Sequence, residues 1–142
     1  MDEIKISEVK TDEKTSGLQF FETRVQAGFP SPVQGEYADS IDLNRALITN
    51  PAATFCARVI GNSMVDAGIN EGDLLIIDRS ITPHDGSIAV CFVDGDFTVK
   101  RLSVRDDGVY LTPANASFPE LKVEEDNNFQ VWGVVSHIIK RV

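Results

Sequence analysis

The sequence has no long apolar run and no excess of basic residues. Its longest apolar run, residues 88–93, is six residues long, whereas a membrane-spanning helix needs about 20. Asp and Glu outnumber Lys and Arg by 22 to 13, which leaves a formal net charge of −9. Nucleic acids and anionic membrane surfaces bind to basic patches. We therefore expect no membrane association and no direct binding of nucleic acid, so any contact with DNA would run through a protein partner.

Cysteine is scarce, and a secretory signal is missing. Cys56 and Cys91 are isolated, with no Cys-x-x-Cys motif and no histidine pair near either of them. Because zinc sites need such clusters, we predict no metal site and no cofactor. Each cysteine has apolar neighbours, which is typical of a buried thiol. Residues 1–5 lack the basic region and apolar core of a signal peptide, so a cytoplasmic protein is expected.

The 142 residues fit one domain plus a tail, and the composition changes near residue 40. Residues 1–17 mix charges with small polar groups and are expected to be mobile. Residues 18–29 are too apolar for a simple linker, and Pro30 and Pro32 favour an extended chain after them. We predict a flexible N-terminal arm over residues 1–40, made to lie in a groove, and a compact domain over residues 41–142.

The compact domain has a β pattern. One short helix is predicted over residues 42–49, capped by Asp42 and ended by Pro51. Asp94-Gly95 between two apolar runs predicts a tight hairpin, and a long last strand is expected to bend at Gly133. The fold is therefore predicted to be mostly β with one or two short helices. Its strands are predicted at residues 55–60, 73–78, 87–93, 96–104, 109–111 and 129–139.

Ser63 is the sharpest candidate for a nucleophile. It follows a predicted strand and Gly61, which permits a tight turn. The esterase motif G-x-S-x-G is not met, because Val65 stands at its last position. A serine in such a turn is more often a cap or turn residue. A Ser-His-Asp triad would need His84, which lies in a predicted turn, or His137, which lies in the last strand, and neither context favours that role.

Lys100 is the other candidate base. Strand alternation places it on the face of Thr98, Leu102 and Val104, opposite the face that carries Arg101. Most lysines are simply solvated. If its face is buried, however, desolvation favours the neutral amine, which is the form that takes a proton from serine. Ser-Lys pairs of this kind are known on several unrelated folds.

Residues 28–142 resemble the UmuD branch of the LexA-like self-cleaving serine peptidases, of peptidase S24 type. The matching segments, in chain order, are residues 26–32 (QAGFPSP), 41–44 (IDLN), 61–64 (GNSM), 68–76 (GINEGDLLI), 94–102 (DGDFTVKRL) and 131–135 (VWGVV). The resemblance implies a LexA-like peptidase domain of β-clip type with an extended N-terminal arm.

The resemblance also implies roles for individual residues. Ser63 would be the nucleophile, Lys100 the general base, and Ala27-Gly28 the bond that is cut. Backbone N–H groups of Asn62 and Ser63 are the expected oxyanion donors. Asn62 departs from the family pattern, where an acidic residue commonly precedes the serine, so only a backbone role carries over.

The function that the resemblance implies is that of an SOS-response protein. Such a homodimer would cut itself when stimulated by a RecA–single-stranded DNA filament. The processed form would then serve a UmuC-like subunit of an error-prone translesion polymerase. Gly28 and Pro51 are 23 positions apart and could span roughly 75 Å when extended, so cutting within one subunit or across the dimer both stay open.

Two other functions stay open as alternatives. A cleavable transcriptional repressor would need a helix-turn-helix head, but only about 27 residues precede the cut and they show no two-helix period. A non-enzymatic β-domain that binds a partner would make Ser63 and Lys100 incidental. A membrane-bound signal peptidase is not expected, because the sequence contains no anchor.

Overall fold

The computed structural model describes residues 4–8, 18–21 and 37–142. The chain forms two compact units, one from residues 1–9 and 50–142 and the other from residues 10–49. The strands are β1 (Ile4–Glu8), β2 (Leu18–Phe21), β3 (Tyr37–Ile41), β4 (Thr54–Val59), β5 (Leu74–Asp78), β6 (Ile88–Val93), β7 (Asp96–Arg105), β8 (Gly108–Thr112), β9 (Leu121–Lys122) and β10 (Phe129–Ile139). The helices are α1 (Leu43–Leu47) and two 3₁₀ turns, Pro51–Ala53 and Val65–Ala67.

The larger unit is one curled antiparallel sheet of eight strands, in the order β1-β4-β5-β10-β6-β7-β8-β9. Both faces of its middle are buried, because successive residues of β6 point into different apolar clusters. Val90 joins the cluster that includes Ile77 and Val99. Ala89 and Cys91 join the cluster that includes Leu102 and Leu111. The mostly β prediction is confirmed, and the predicted strands of the compact domain match β4 to β8 and β10.

The predicted hairpin at Asp94-Gly95 joins β6 to β7, with Val93 opposite Asp96. Both turn residues have left-handed backbone angles, φ 48° for Asp94 and φ 93° for Gly95. A two-residue turn of this type matches the twist of the strands that it connects. The Asp94 carboxylate also accepts hydrogen bonds from Asn127 Nδ2 and Asn128 N, each at 2.9 Å. The turn is therefore tied to the segment that leads into β10.

β10 is irregular at Gly133, as predicted. Its pairing with β6 shifts register between Val131 and Gly133, which leaves Trp132 as an extra residue in the strand. A Cβ atom at position 133 would lie 2.6 Å from Ile77 Cγ2. Only glycine therefore allows β5 to pack this closely against β10.

The smaller unit contains the β2–β3 pair and α1. Asp42 caps α1 as predicted, because its carboxylate accepts a hydrogen bond from Asn44 N at 3.0 Å. The helix ends at Leu47, two residues earlier than predicted. The division of the chain at residue 40 into arm and domain stays a prediction.

The expectation of mobility for residues 1–17 is wrong for residues 4–8. These residues form β1, which pairs with β4 at the edge of the large sheet. The sequence signal is weak because the strand is short and carries apolar side chains only at Ile4 and Ile6. Tertiary pairing supplies the stability that local pattern does not.

Among the residues described, no helix is both long and apolar enough to cross a membrane. Within the same residues, no group of three or more His, Cys, Asp or Glu side chains is placed to hold a metal ion. The prediction of buried thiols is confirmed for Cys91, whereas Cys56 is half-buried.

Candidate active site

Ser63 lies in the connection between β4 and β5. Gly61, the second residue of this connection, has φ 92°, a left-handed angle that side chains disfavour, so the tight turn predicted at this glycine is present. The turn directs Ser63 inward, where it is 5% exposed. Met64, the next residue, is 2% exposed and belongs to the main apolar cluster. Burial of Met64 therefore anchors the serine backbone.

Lys100 lies on β7, which is separated from β4 in the sheet by β5, β10 and β6. The curl of the sheet nevertheless brings the two elements together, and Lys100 Nζ lies 3.1 Å from Ser63 Oγ. The two residues are 37 positions apart in the chain. The structure therefore places the two predicted catalytic side chains in hydrogen-bond contact.

Two further oxygen atoms surround the Lys100 amine. Thr98 Oγ1 accepts from Nζ at 2.7 Å and the Val99 carbonyl oxygen accepts at 3.2 Å. A neutral amine has two N–H bonds and one lone pair. In that form the amine can direct N–H bonds at Thr98 and Val99 and its lone pair at the Ser63 hydroxyl. The arrangement therefore suits a lysine that takes a proton from Ser63.

The predicted face of Lys100 is half-buried and lies over an apolar cluster. Lys100 pairs with Ala89 on β6, Thr98 pairs with Cys91, and both of these β6 residues are fully buried. Burial raises the pKa of the Cys91 thiol to about 12, although the nearby Lys100 charge opposes that rise. Cys91 therefore stays protonated at neutral pH and does not compete with Ser63 as a nucleophile.

Residues 113–117, which follow β8, form hydrogen bonds to the loop that contains Ser63. The sequence did not predict this contact. Asn115 Nδ2 donates to the Asn62 carbonyl at 2.9 Å. Asp66 N donates to the Ala114 carbonyl at 2.8 Å, and Ala114 N donates to Met64 Sδ at 3.3 Å. This segment lies about 50 positions along the chain from Ser63. Its sequence, PANAS, signals only a turn, so nothing local pointed to this role.

The two histidines lie in other contexts, as the sequence indicated. His84 is exposed in a turn, with its Nδ1 2.7 Å from the Asp85 carbonyl oxygen. His137 lies on β10, and its Nδ1 is 2.9 Å from Ser136 Oγ. The hydrogen bonds given for these two rings involve Asp85 and Ser136 rather than Ser63, which removes support for a histidine-based triad.

Two other predicted features remain untested. Ala27 and Gly28 lie outside the described residues. The role of the Asn62 and Ser63 backbone N–H groups as oxyanion donors stays a prediction.

A lysine amine in hydrogen-bond contact with a buried serine hydroxyl is the kind of pair that Ser-Lys catalysis uses on several unrelated folds. The family model of peptidase S24-like proteins matches residues 19–136. The chain therefore belongs to the peptidase S24-like family, whose members are self-cleaving serine peptidases, and the resemblance seen in the sequence is confirmed.

Individual relatives support the same assignment. Protein MucA of Salmonella typhimurium is 39% identical over 135 residues, which cover 94% of this chain and 92% of that protein. Protein ImpA of Salmonella typhimurium is 45% identical over 121 residues, which cover 85% and 82%. LexA repressor 2 of Pseudomonas syringae pv. tomato is 33% identical over 118 residues, which cover 83% of this chain but 58% of that repressor.

Proposed function

We propose that this protein cuts its own Ala27-Gly28 bond, with Ser63 as nucleophile and Lys100 as general base. The observation that carries the proposal is the 3.1 Å contact between Lys100 Nζ and Ser63 Oγ. Two further acceptors for the same amine, Thr98 Oγ1 and the Val99 carbonyl, support it. In a β-domain that only binds a partner, nothing would require a lysine to face a buried serine in this way.

The reaction begins with a proton transfer from Ser63 Oγ to the neutral Lys100 amine. Oγ attacks the carbonyl carbon of Ala27, and backbone N–H groups at Asn62 and Ser63 stabilise the oxyanion. The intermediate collapses when the Lys100 ammonium returns the proton to the nitrogen of Gly28, which leaves with residues 28–142. Water, deprotonated by Lys100, then attacks the Ser63–Ala27 ester. The Lys100 ammonium returns that proton to Ser63 Oγ, and residues 1–27 leave with a new C-terminal carboxyl group.

The residues around the cut suit this reaction. Ala27 and Gly28 have the smallest side chains available, so they offer little obstruction to Oγ. Pro30 and Pro32 restrict the product side to extended conformations, which reduces the entropy lost on docking. Substrate and nucleophile belong to the same protein, so the reaction is a single turnover and docking of the arm is its control point.

We further propose that the protein acts in SOS mutagenesis, as its similarity to Protein MucA and Protein ImpA supports. Cutting would be stimulated by a RecA–single-stranded DNA filament in the cytoplasm. The processed homodimer would then assist a UmuC-like translesion polymerase subunit. A chain with net charge −9 suits contact with DNA through such partners.

Incubation with a RecA–single-stranded DNA filament at neutral pH should convert the chain into two fragments. Intact-mass spectrometry should find residues 1–27 and residues 28–142, with Gly28 as the new N-terminus. RecA without single-stranded DNA is the matched control and should leave the chain uncut. An unchanged cutting rate with the filament would contradict filament control, and a cut at another bond would contradict the assignment of Ala27-Gly28.

Thr98→Val should slow self-cleavage by about tenfold, the effect of losing one hydrogen bond that positions a charged or reactive group. The side chain keeps its shape, but the acceptor 2.7 Å from Lys100 Nζ is lost. Because Thr98 positions the amine rather than supplying the proton acceptor, the loss should persist at alkaline pH, and Thr98→Ser should restore the rate. Cutting rates measured between pH 7 and about 10 test this.

The matched control is Thr112→Val on β8, which removes a hydroxyl that donates a hydrogen bond to Glu120 Oε1 at 3.1 Å. It should cut at the native rate. A Thr98→Val rate equal to the native rate at every pH would rule out the positioning role.

A further inference from the structure

β4 pairs with β5 on one side, and its other edge is covered by β1, a strand from the N-terminal end of the chain. β1 pairs antiparallel with β4 over five residues, from Ile4 opposite Val59 to Glu8 opposite Phe55. Every backbone group that β4 directs outward along this stretch faces β1. The edge therefore already functions as an acceptor for an extended strand.

The side chain of Ile4 is buried in the core and holds this strand against the sheet. It is 4% exposed and lies in the main apolar cluster of the larger unit, and Ile6 packs against the same cluster. Lys5 and Ser7, on the alternate positions, are exposed. The acceptor site thus combines the backbone edge of β4 with an apolar socket, the part of the main cluster that receives Ile4 and Ile6. Strand-accepting domains select their ligands by such pockets for alternate side chains.

The socket adjoins the candidate active site. The cluster that receives Ile4 also contains Met64 and Val99, the chain neighbours of Ser63 and Lys100. β1 also lies close to β7, the strand that carries Lys100. The occupant of this edge therefore shares one apolar cluster with the residue after Ser63 and the residue before Lys100.

The pairing of β1 with β4 contains one unfavourable pair. Lys5 lies directly opposite Arg58 in the pairing. Like charges at opposed positions weaken a strand pair, whereas opposite charges strengthen it. An occupant with an acidic residue at that position would bind more tightly than β1 does.

We propose that the β4 edge is a binding site for an extended segment of another protein chain, and that residues 4–8 occupy it until they are displaced. The preferred segment has apolar residues at alternate positions and an acidic residue opposite Arg58. Displacement of β1 after cleavage rests on the proposed function. Residues 4–8 precede the Ala27-Gly28 bond, so cutting that bond turns β1 from a strand of the same chain into part of a separate peptide. Release of that peptide would open the edge to the partner.

A peptide-binding experiment on the full chain tests the site without requiring cleavage. All proteins carry Ser63→Ala to prevent cutting, and the probe is a fluorescent peptide with the sequence of residues 1–10. We expect it to bind the Ile4→Asp chain, whose own strand is expelled, at least about tenfold more tightly than the chain with native Ile4, where the tethered strand competes at high effective concentration. Ser7→Asp, on the exposed side of the same strand, is the matched control and should bind as weakly as the native strand.

Variation of the probe tests the charge argument. A Lys5→Glu peptide should bind the Ile4→Asp chain about two- to fivefold more tightly than the native peptide, and an Ile4→Asp peptide should not bind. Hydrogen exchange in β4 should be faster in the Ile4→Asp chain and should slow again when peptide is added. If Ile4→Asp does not fold, Ile6→Ser takes its place, because Ile6 is only partly buried.

The strand site would be overturned if the native-strand, Ile4→Asp and Ser7→Asp chains bound the peptide equally, or if hydrogen exchange in β4 were unchanged. Either result would hold whether or not Ser63 is catalytic. A native chain that is dimeric while the Ile4→Asp chain is monomeric would show that the strand comes from a second copy, and would overturn occupation by the chain's own residues. In the cutting-competent protein, native mass spectrometry should find residues 1–27 still bound to residues 28–142 directly after cleavage. A missing cut would count against the proposed function alone.

Discussion

Ser63→Ala should stop self-cleavage, with a loss of at least about 10³-fold in rate. Removal of Oγ leaves Lys100 with no hydroxyl to deprotonate and the Ala27 carbonyl with no nucleophile. The side chain is 5% exposed and small, so the folded state should lose little stability. The fraction of intact chain, followed by mass spectrometry over hours at alkaline pH and with a RecA filament at neutral pH, measures the effect.

A control substitution at another serine distinguishes loss of the nucleophile from a general effect on the fold. Ser103→Ala removes a hydroxyl from β7, the strand that also carries Lys100, where it accepts a hydrogen bond from Arg105 Nε at 3.3 Å. That variant should cut at the native rate. If Ser63→Ala cuts as fast as Ser103→Ala, Ser63 is not the nucleophile and the Ser-Lys assignment fails.

Lys100→Met and Lys100→Arg should each slow self-cleavage by about 10²- to 10⁴-fold, the usual contribution of a general base. Methionine keeps most of the length of the side chain but has no basic nitrogen. Arginine keeps the positive charge, yet its guanidinium does not lose a proton in proteins. Together the two variants distinguish a need for a proton acceptor from a need for positive charge beside Ser63.

The pH dependence supplies the sharper measurement. The native rate should rise with pH, because the neutral fraction of a lysine amine rises with pH, whereas both variants should stay slow throughout. Lys122→Met, on β9, is the control and should keep the native profile. Recovery of Lys100→Met by raising the pH alone, or a native rate in Lys100→Arg, would contradict the role of Lys100 as base.

The effects of the Ser63 and Lys100 substitutions on the cleavage rate should not be additive. If Ser63 and Lys100 act as one unit, the chain with both Ser63→Ala and Lys100→Met should cut no more slowly than Ser63→Ala alone. Independent contributions would multiply the two losses.

Several features follow from the sequence because their signals are local. Short runs rich in apolar and β-branched residues over β4 to β8 and β10 predict strands. Asp94-Gly95 predicts the hairpin from the backbone angles that those two residues tolerate. The side-chain chemistry of Asp42 predicts a helix cap. The short motif at Ser63 and the face shared by Thr98 and Lys100 can also be identified from residue order and strand alternation alone.

β1 and the contact of residues 113–117 with the Ser63 loop could not be predicted in this way. Ile4 and Ile6 form too short a pattern to indicate a strand, and their burial depends on the edge of β4. Asn115 contacts the serine loop across 53 positions of sequence. Such contacts depend on how the sheet curls, and no local pattern encodes that curvature.

The sequence by itself determined the β class, the turns and the acidic net charge, since these follow from residue chemistry and local periodicity. The roles of Ser63 and Lys100 followed from the resemblance to the self-cleaving peptidases. Only the tertiary structure decided that Lys100 Nζ lies 3.1 Å from Ser63 Oγ, with Thr98 and Val99 able to hold its N–H bonds. It also decided that residues 4–8 belong to the sheet. The physical reason is the same in both cases: three strands separate β4 from β7 within the sheet, and only its curl and shared apolar cluster bring their ends, and β1, to one place.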